Sequence, residues 1–334
     1  MVCMKIICLM PVKNEAWVIE ASLKRITKWA DIIIVADQHS EDNTRNICLK
    51  FDKVKLIQNN AIEFNEKERQ MLLLSEARKY GLNNLIFALD ADEFIPDDFD
   101  VSKMKLIYEK NREGATLYFK WANLCSTGSK YWESEFLPFG FIDDGNTEHN
   151  PKLIHSPRVP VLTNKVYIIE TNIIHLQYLN QNRLNHKQLW YYFYELTHLK
   201  EKNSIKLFRK YTHMYFRSSI KNQKNIKDKW NTGILTSSEK QTLTKQDSND
   251  YWSGRLVKLL EDQKSKKTFP VNALVNLFKP NAIAKRKIVF FSDAKLSKVI
   301  DFYLYKTVAF GDYKIIKLFD IVLYFFARNF NRGN

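Results

Sequence analysis

Glycine and proline are scarce in this chain, nine and eight among 334 residues, which excludes collagen-like repeats and long flexible linkers. Cysteine is scarcer: Cys3, Cys8, Cys48 and Cys125 lie at irregular spacings without a CxxC pair. That pattern gives no disulfide framework or cysteine zinc site, and predicts reduced, buried thiols in a cytosolic protein. No apolar run reaches the roughly eighteen residues of a membrane span. The opening MVCMKIICLMPVKNE has one lysine before a short apolar run and no small-residue cleavage site, so it does not read as a secretory signal. There is no internal repeat and no low-complexity tract.

What is present is a core and an uneven charge. Hydrophobic residues make up 45% and aromatics 13%, enough apolar surface for a folded protein. The net charge is +15, but residues 181–334 carry 30 Lys and Arg against 12 Asp and Glu, while the first 180 carry 22 against 25. A near-neutral front is joined to a strongly basic back. Such a face attracts nucleic acid, anionic lipid or phosphorylated substrates, and a solvated lysine-rich surface accounts for it equally well.

Apolar runs and helical periodicity alternate through the first hundred residues. KIICLMPV (5–12), DIIIVAD (31–37), VKLIQN (54–59) and NLIFALDADEF (84–94) read as strands. Between them, Asn14-Glu15 opens a helix, HSEDNTRNICLKF (39–51) forms a turn and helix with Ser40 as N-cap, and residues 66–81 form a helix closed by Gly81. This order predicts right-handed crossovers and a parallel sheet covered on both faces. Each strand ends in polar residues: Lys13-Asn14-Glu15, Asp37-Gln38 and Asp90-Ala91-Asp92. Ligands of open α/β sheets bind along that edge. Further on, GATLYFKWANLC (114–125) reads as a strand followed by an aromatic, acidic stretch (131–150), and KVYIIETNIIHLQY (165–178) supplies one or two more. Residues 181–220 and the chain's end are helical and basic.

PVKNE, IIIVADQHSEDNT and ALDADEF, each after its strand, resemble the nucleotide-sugar-binding half of family 2 glycosyltransferases, whose fold is GT-A. Asp37, Ser40, Asp42 and Thr44 keep that family's second motif, whereas Gln38 and His39 stand where an acid and a glycine are usual. The resemblance covers residues 5–100 well and 101–215 loosely. It implies a GT-A catalytic domain over 1–215, with a nucleotide-sugar half (1–100) and an acceptor half (101–215). A helical, basic C-terminal region follows over 216–334.

The roles follow from the same resemblance. A diphosphate leaving group needs its charge neutralised, and hard oxygen ligands hold a divalent metal for this. Asp92 is the metal ligand, with Asp90 contacting the nucleotide or supporting the metal and Ala91 between them. His175, ending an apolar strand, is the third metal ligand or a phosphate contact, and its imidazole favours Mn2+ over Mg2+. Asp37 accepts from a pyrimidine N–H, which points to a UDP-sugar. Pro11, Lys13 and Glu15 line the base and ribose pocket, although Glu15 fits equally as a first-turn helix acid. Arg69 and Gln70 lie near the nucleotide or on an exposed helix face. His149, His155 and Arg158 are candidates for holding phosphates or acceptor, and Arg183 and Lys187 for assisting the departing diphosphate.

An inverting transferase also needs a base for the acceptor hydroxyl. The Asp143-Asp144 pair is favoured, since adjacent acids raise one pKa, and Glu133 and Glu135 are rivals. Trp121, Tyr131 and Trp132 offer flat faces to a sugar or to the core. The tail segments 278–291 and 313–330 mix bases with apolar residues, fitting a peripheral contact at the inner face of the cytoplasmic membrane, or an oligomer interface. The expectation is a cytoplasmic, metal-dependent hexosyltransferase building a bacterial surface polysaccharide or lipid-linked glycan. The rivals are a nucleotidyltransferase, for which PVKNEA lacks the Gly-rich loop, and a basic nucleic-acid-binding protein, for which no recognition motif is present.

Overall fold

The computed structural model describes residues 4–126, 128–162, 165–199, 203–220, 223–227, 230, 235–245, 251–262, 295–311 and 313–330. They fall into two compact units: residues 1–179 with 224–244, and residues 180–223 with 245–334. The boundary expected at 215 falls inside the helix Ser204–Ile220. The tail segment 278–291 lies outside the described residues.

The first unit is built on one ten-stranded sheet. Its parallel half comprises β1 (Ile6–Val12), β2 (Ile32–Asp37), β3 (Val54–Gln58) and β4 (Leu85–Ala88), in the order β3-β2-β1-β4. The crossovers are α1 (Ile19–Ile26), α2 (Thr44–Cys48) and α3 (Glu66–Arg78). The inner strands β1, β2 and β4 are apolar on both faces. Ile6, Cys8 and Met10 of β1 pack with Leu23 and Ile26 of α1, and Ile7 and Leu9 pack with Leu73, Leu74 and Ala77 of α3. Burial on both sides is why β1, β2 and β4 read as continuous apolar runs, whereas β3, at the sheet edge, carries exposed Lys55 and Gln58. Phe87 is fully buried, with Trp29 edge-on at 5.1 Å and Phe99 at 5.7 Å.

The strand order reverses between β1 and β4, which opens a crevice at their carboxyl ends. The expected fourth strand is shorter than its apolar run. The chain turns at Asp90-Ala91-Asp92, where Glu93 N–H bonds the Asp90 carbonyl, and re-enters the sheet as β5 (Glu93–Phe94). After α4 (Val101–Lys110), β6 (Ala115–Leu124) and β7 (Lys130–Ile142) form a bulged hairpin that joins β4 antiparallel. Gly140 allows a close approach there, since a Cβ would lie 3.0 Å from the Leu117 Cβ and would push that side chain aside by a few tenths of an ångström. β8 (Val166–Ile168) and β9 (Ile173–His175) pair with β6, and β9 carries β5 antiparallel. The two-residue β10 (Lys224–Asn225) adds to β7.

Three local expectations are revised or refined. The first helix begins at Ile19, not at Asn14-Glu15. Helix α2 begins at Thr44 with Asn43 at its cap position, and Ser40 serves a different partner. The stretch after 131 is the longest strand, obscured in sequence by its bulges. Cys8, Cys48 and Cys125 are buried thiols that form no disulfide.

The second unit is helical among its described residues: α5 (Gln181–Thr197), α6 (Ser204–Ile220), α8 (Tyr251–Asp262), and two more helices, Lys295–Thr307 and Lys314–Phe330; α7 (Ser237–Thr244) belongs to the first unit. Leu189, Trp190 and Phe193 of α5 are buried with Phe208 and Tyr211 of α6 and Leu256 of α8.

Candidate active site

The loops after β1 and β2 are spliced together by side chains. The successive N–H groups of Asn14, Glu15 and Ala16 donate to Ser40 Oγ (2.9 Å), Thr44 Oγ1 (2.8 Å) and Asp42 Oδ2 (3.0 Å). Glu41 N–H returns a bond to Asn14 Oδ1 at 2.7 Å, and Lys13 Nζ donates to the His39 carbonyl. Asn14 and His39 take the left-handed backbone conformation, φ 54° and 53°, that the tight approach requires. The Ser-x-Asp-x-Thr spacing thus places three acceptors against three consecutive donors. Gln38 Nε2 donates to the carbonyls of Ala61 and Glu63, fixing the loop after β3.

Asp37, fully buried at the end of β2, accepts from Arg45 Nη1 (2.8 Å) and from Ser40 N–H (3.2 Å). A carboxylate has about four lone-pair positions, and these donors do not fill them. Pro11, Lys13 and Glu15 are half-buried on the same edge, and Glu15 Oε2 accepts from Trp17 Nε1 at 2.7 Å.

Across the crevice, the turn after β4 collects the acids. Asp92 and Glu93 are buried, and β5 sets Glu93 opposite His175. His175 Nδ1 bonds Asn123 Oδ1 at 2.8 Å. With the amide oxygen accepting, Nδ1 carries the proton and Nε2 presents its lone pair. That Nε2 lies 3.6 Å from Asp92 Oδ2 and 3.9 Å from Glu93 Oε1. Two ligands each about 2.1 Å from one ion are separated by at most about 4.2 Å, so these atoms fit a shared divalent cation. Asp92, Glu93 and His175 form a group able to hold a metal. Trp121 stacks on His175 at 4.7 Å and fixes the plane of the ring.

Glu93, which the sequence left without a role, is the hub of this cluster. It accepts from Trp121 Nε1 (3.0 Å), from Asp90 N–H (2.9 Å) and from the Arg158 guanidinium. The other arm of Arg158 reaches Asp90 Oδ2 at 2.6 Å, and its plane lies over Trp121 and Phe139. Burial pushes the Glu93 carboxyl up while the Arg158 charge opposes it. Arg158 itself is held protonated by Asp90 and Glu93 against its own burial. Asp90 is therefore bound to Arg158, and Glu93, not Asp90, completes the group around Asp92 and His175.

The segment bearing Arg158 is anchored on the first turn of α3, where Glu66 N–H bonds the Leu153 carbonyl and Glu66 Oε2 accepts from Ser156 N–H. His155 on it is exposed. Arg69 packs over Phe64 and lies 3.7 Å from Glu66. Gln70 Oε1 bonds His149 Nε2 at 3.0 Å, which makes both scaffold. Burial, then the charge of Arg78, lowers the His149 pKa to about 4.

The favoured base pair is not at this site. Because β7 runs antiparallel to β4, Asp143 follows the strand end that meets Asn84: Asp143 N–H bonds the Asn84 carbonyl, and Asn83 N–H bonds the Asp143 carbonyl. Asn84 and Asp90 flank opposite ends of β4, about 20 Å apart at the strand rise of ~3.3 Å per residue. Asp143 is buried against Arg78, while Asp144 accepts from Asn146 and Thr147 in a local turn. Both acids are structural.

Glu133 faces Ala122 across the hairpin, so it projects from the sheet face opposite Asn123. Burial raises its pKa, but Lys224 (2.8 Å) with the charges of Lys120 and Lys227 more than offsets this and leaves it lowered. Glu135 is exposed on the same strand. Trp132 and Tyr131 are buried, Tyr131 against Trp230, and belong to the core.

Residues 7–169 match the model of a family described as glycosyl transferase family 2. No curated protein matches the sequence. Among solved structures, crystalline TarS from S. aureus is similar at 12% identity over 92% of this chain and 55% of that chain, with a TM-score of 0.41. This chain therefore spans little more than half the length of that one. The structure of S. aureus TarS 1-349 is similar at 11% identity, 92% of this chain and 91% of that chain, and a TM-score of 0.36. A 4-diphosphocytidyl-2C-methyl-D-erythritol synthase from Anaerococcus prevotii DSM 20548 follows at 11%, 51% and 88%, and 0.32. Likenesses this distant add nothing to the family match. Residues 7–169 belong to glycosyl transferase family 2, on an α/β fold of the GT-A class.

Proposed function

We propose that this glycosyltransferase moves a hexose from a nucleoside diphosphate sugar, of the UDP type, to a hydroxyl of a glycan or lipid-linked acceptor. The carrying observation is the His175 Nε2 lone pair, turned by Asn123 toward the carboxylates of Asp92 and Glu93 at the strand-order switch. Asp92 and His175, with Glu93 beside them, would hold the cation. A divalent metal, when bound, neutralises the charge of the leaving diphosphate.

The remaining work falls to the chain. Asp37 accepts the N–H of the uracil ring, in the pocket framed by Pro11, Lys13 and Glu15. Arg158, held by Asp90 and Glu93, offers a fixed guanidinium to the phosphates, with His155 and Arg69 beside the same pocket. The acceptor oxygen bonds the anomeric carbon as the bond to the diphosphate breaks, with inversion, and the hydroxyl proton passes to a carboxylate. Of the candidate bases, Glu133 projects from the other sheet face and has a lowered pKa, which leaves Glu135. The setting is cytoplasmic, in bacterial surface polysaccharide synthesis, with a peripheral contact of the basic C-terminal region at the inner face of the membrane.

A panel of nucleotide sugars, tested for hydrolysis and transfer with and without Mn2+, checks this. Turnover of one donor that depends on the metal and disappears in Asp92→Ala is expected. If no nucleotide sugar binds or is hydrolysed, and Asp92→Ala changes nothing, the reading is wrong.

A further inference from the structure

The helix Lys314–Phe330 turns two different sides to its surroundings. Its inner side is fastened by Asp320, which accepts from Arg209 Nε and Nη2 at 2.9 Å and from Tyr303 O–H at 3.1 Å. At 100° per residue, Ile315, Leu318, Phe319, Val322, Phe325 and Phe326 share the other side within an arc of about 120°. All six are exposed, Leu318 by 62% and Phe326 by 65%. The preceding helix, Lys295–Thr307, adds exposed apolar residues. Tyr303 reaches Asp320, while Phe302, about 100° round the helix from Tyr303, is exposed by 64% and Val299 is exposed as well. Phe310 and Tyr313, between the helices, are exposed as well.

Among the described residues, the fully exposed charges beside these side chains are lysines. Lys298 and Lys306 flank Phe302, and Lys314 and Lys317 occupy the first turn of the last helix, all four exposed. Asp320, the sole acid within Lys314–Phe330, is turned inward to Arg209. Two copies stacked on this face would bring their lysines together, which like-charge repulsion opposes. The last helix has 17 residues, about 25 Å at 1.5 Å per residue, short of the ~30 Å of a bilayer's hydrocarbon. No described helix is long and apolar enough to cross a membrane. An apolar face rimmed by lysines, on a helix too short to span, matches a segment lying in the headgroup region of an anionic leaflet.

We propose that the exposed side of Lys314–Phe330, with Phe302 and the rim Lys298, Lys306, Lys314 and Lys317, docks this chain on anionic lipid. The proposal rests on the peripheral contact put forward above but not on the transfer reaction. Aromatic and aliphatic side chains enter the interface, the lysine stems lie along it, and the ammonium groups meet lipid phosphates.

Co-sedimentation of the full chain with phosphatidylcholine vesicles, with or without phosphatidylglycerol, tests it. Binding is expected only with phosphatidylglycerol and is weakened by salt. At about fivefold per lysine, K314Q/K317Q lowers partitioning about 25-fold. F319S/F326S, at exposed positions, abolishes binding while the circular dichroism spectrum is retained. Equal binding to both vesicle types, native binding by either variant, or a dimer that F319S/F326S dissolves without any vesicle binding would overturn the proposal. Nucleoside diphosphate binding measured on the same samples reports the transfer reading separately, so either can fail alone.

Discussion

Two acid groups stand at opposite ends of the same pair of strands, and they behave differently. Asp143 and Asp144, adjacent in sequence, are closed by their own neighbourhood: Arg78 grips one, and turn N–H groups with the Thr147 hydroxyl fill the other. Asp92 and Glu93 are adjacent too, but they face a ring nitrogen delivered from another strand, with its lone pair toward them. The first arrangement folds a loop. The second leaves ligand atoms converging on a point. Acid adjacency alone carries little information, and the direction of the donors around it carries most.

Substitutions can break that contrast. The largest effect is expected from Asp92→Ala, a loss of about a thousandfold in turnover, in the range for removing charge stabilisation at a leaving group. Its melting temperature should change little. Glu93→Gln keeps an acceptor for Trp121 but strips Arg158 of a buried charge partner, for which about 3 kcal/mol of stability is expected to be lost. Denaturant titration with a nucleotide-binding assay reads both losses. Asp143→Asn inverts the pattern of Asp92→Ala: stability falls by about 2–3 kcal/mol, since Arg78 is left near a neutral amide, while turnover by the folded fraction is unchanged. Lost turnover in folded Asp143→Asn would return that acid to catalysis.

The smallest effect concerns acid. His149 is held neutral, with its pKa depressed to about 4 from the ordinary 6.5. Protonation therefore favours the unfolded chain, so its contribution is complete above about pH 6.5 and is lost as pH falls toward 4. His149→Gln should flatten the stability profile within that window by about 1–2 kcal/mol, seen by urea titration at a series of pH values.

The parallel half of the sheet was legible because strands buried on both faces leave unbroken apolar runs, and its polar ends marked the ligand edge. Asp37, Asp90 and Asp92 do lie along that edge. What the sequence hid has physical causes. The direction of β7 decides which end of the sheet Asp143 reaches, and no local pattern encodes strand direction. The position of Glu93 depends on its pairing with His175, a contact between distant segments. Ser40 looked like a helix cap because a serine before a helix usually is one, yet its hydroxyl is taken by Asn14. Three acids in four positions were the signal for Glu93, and only its register gives that signal meaning.

The splice between the first two loops bears on how a nucleotide is admitted. Many phosphate sites use consecutive main-chain amides as a cradle for oxygen anions. Here those of Asn14, Glu15 and Ala16 are already occupied by Ser40, Thr44 and Asp42, so these three amides are not available to a diphosphate. Recognition of its charge would then rest mainly on cationic groups such as Arg158 and a bound metal. Uridine and uridine diphosphate should accordingly differ in how they respond to a chelator, the nucleoside binding equally well with or without it and the diphosphate losing at least tenfold, as calorimetry would record.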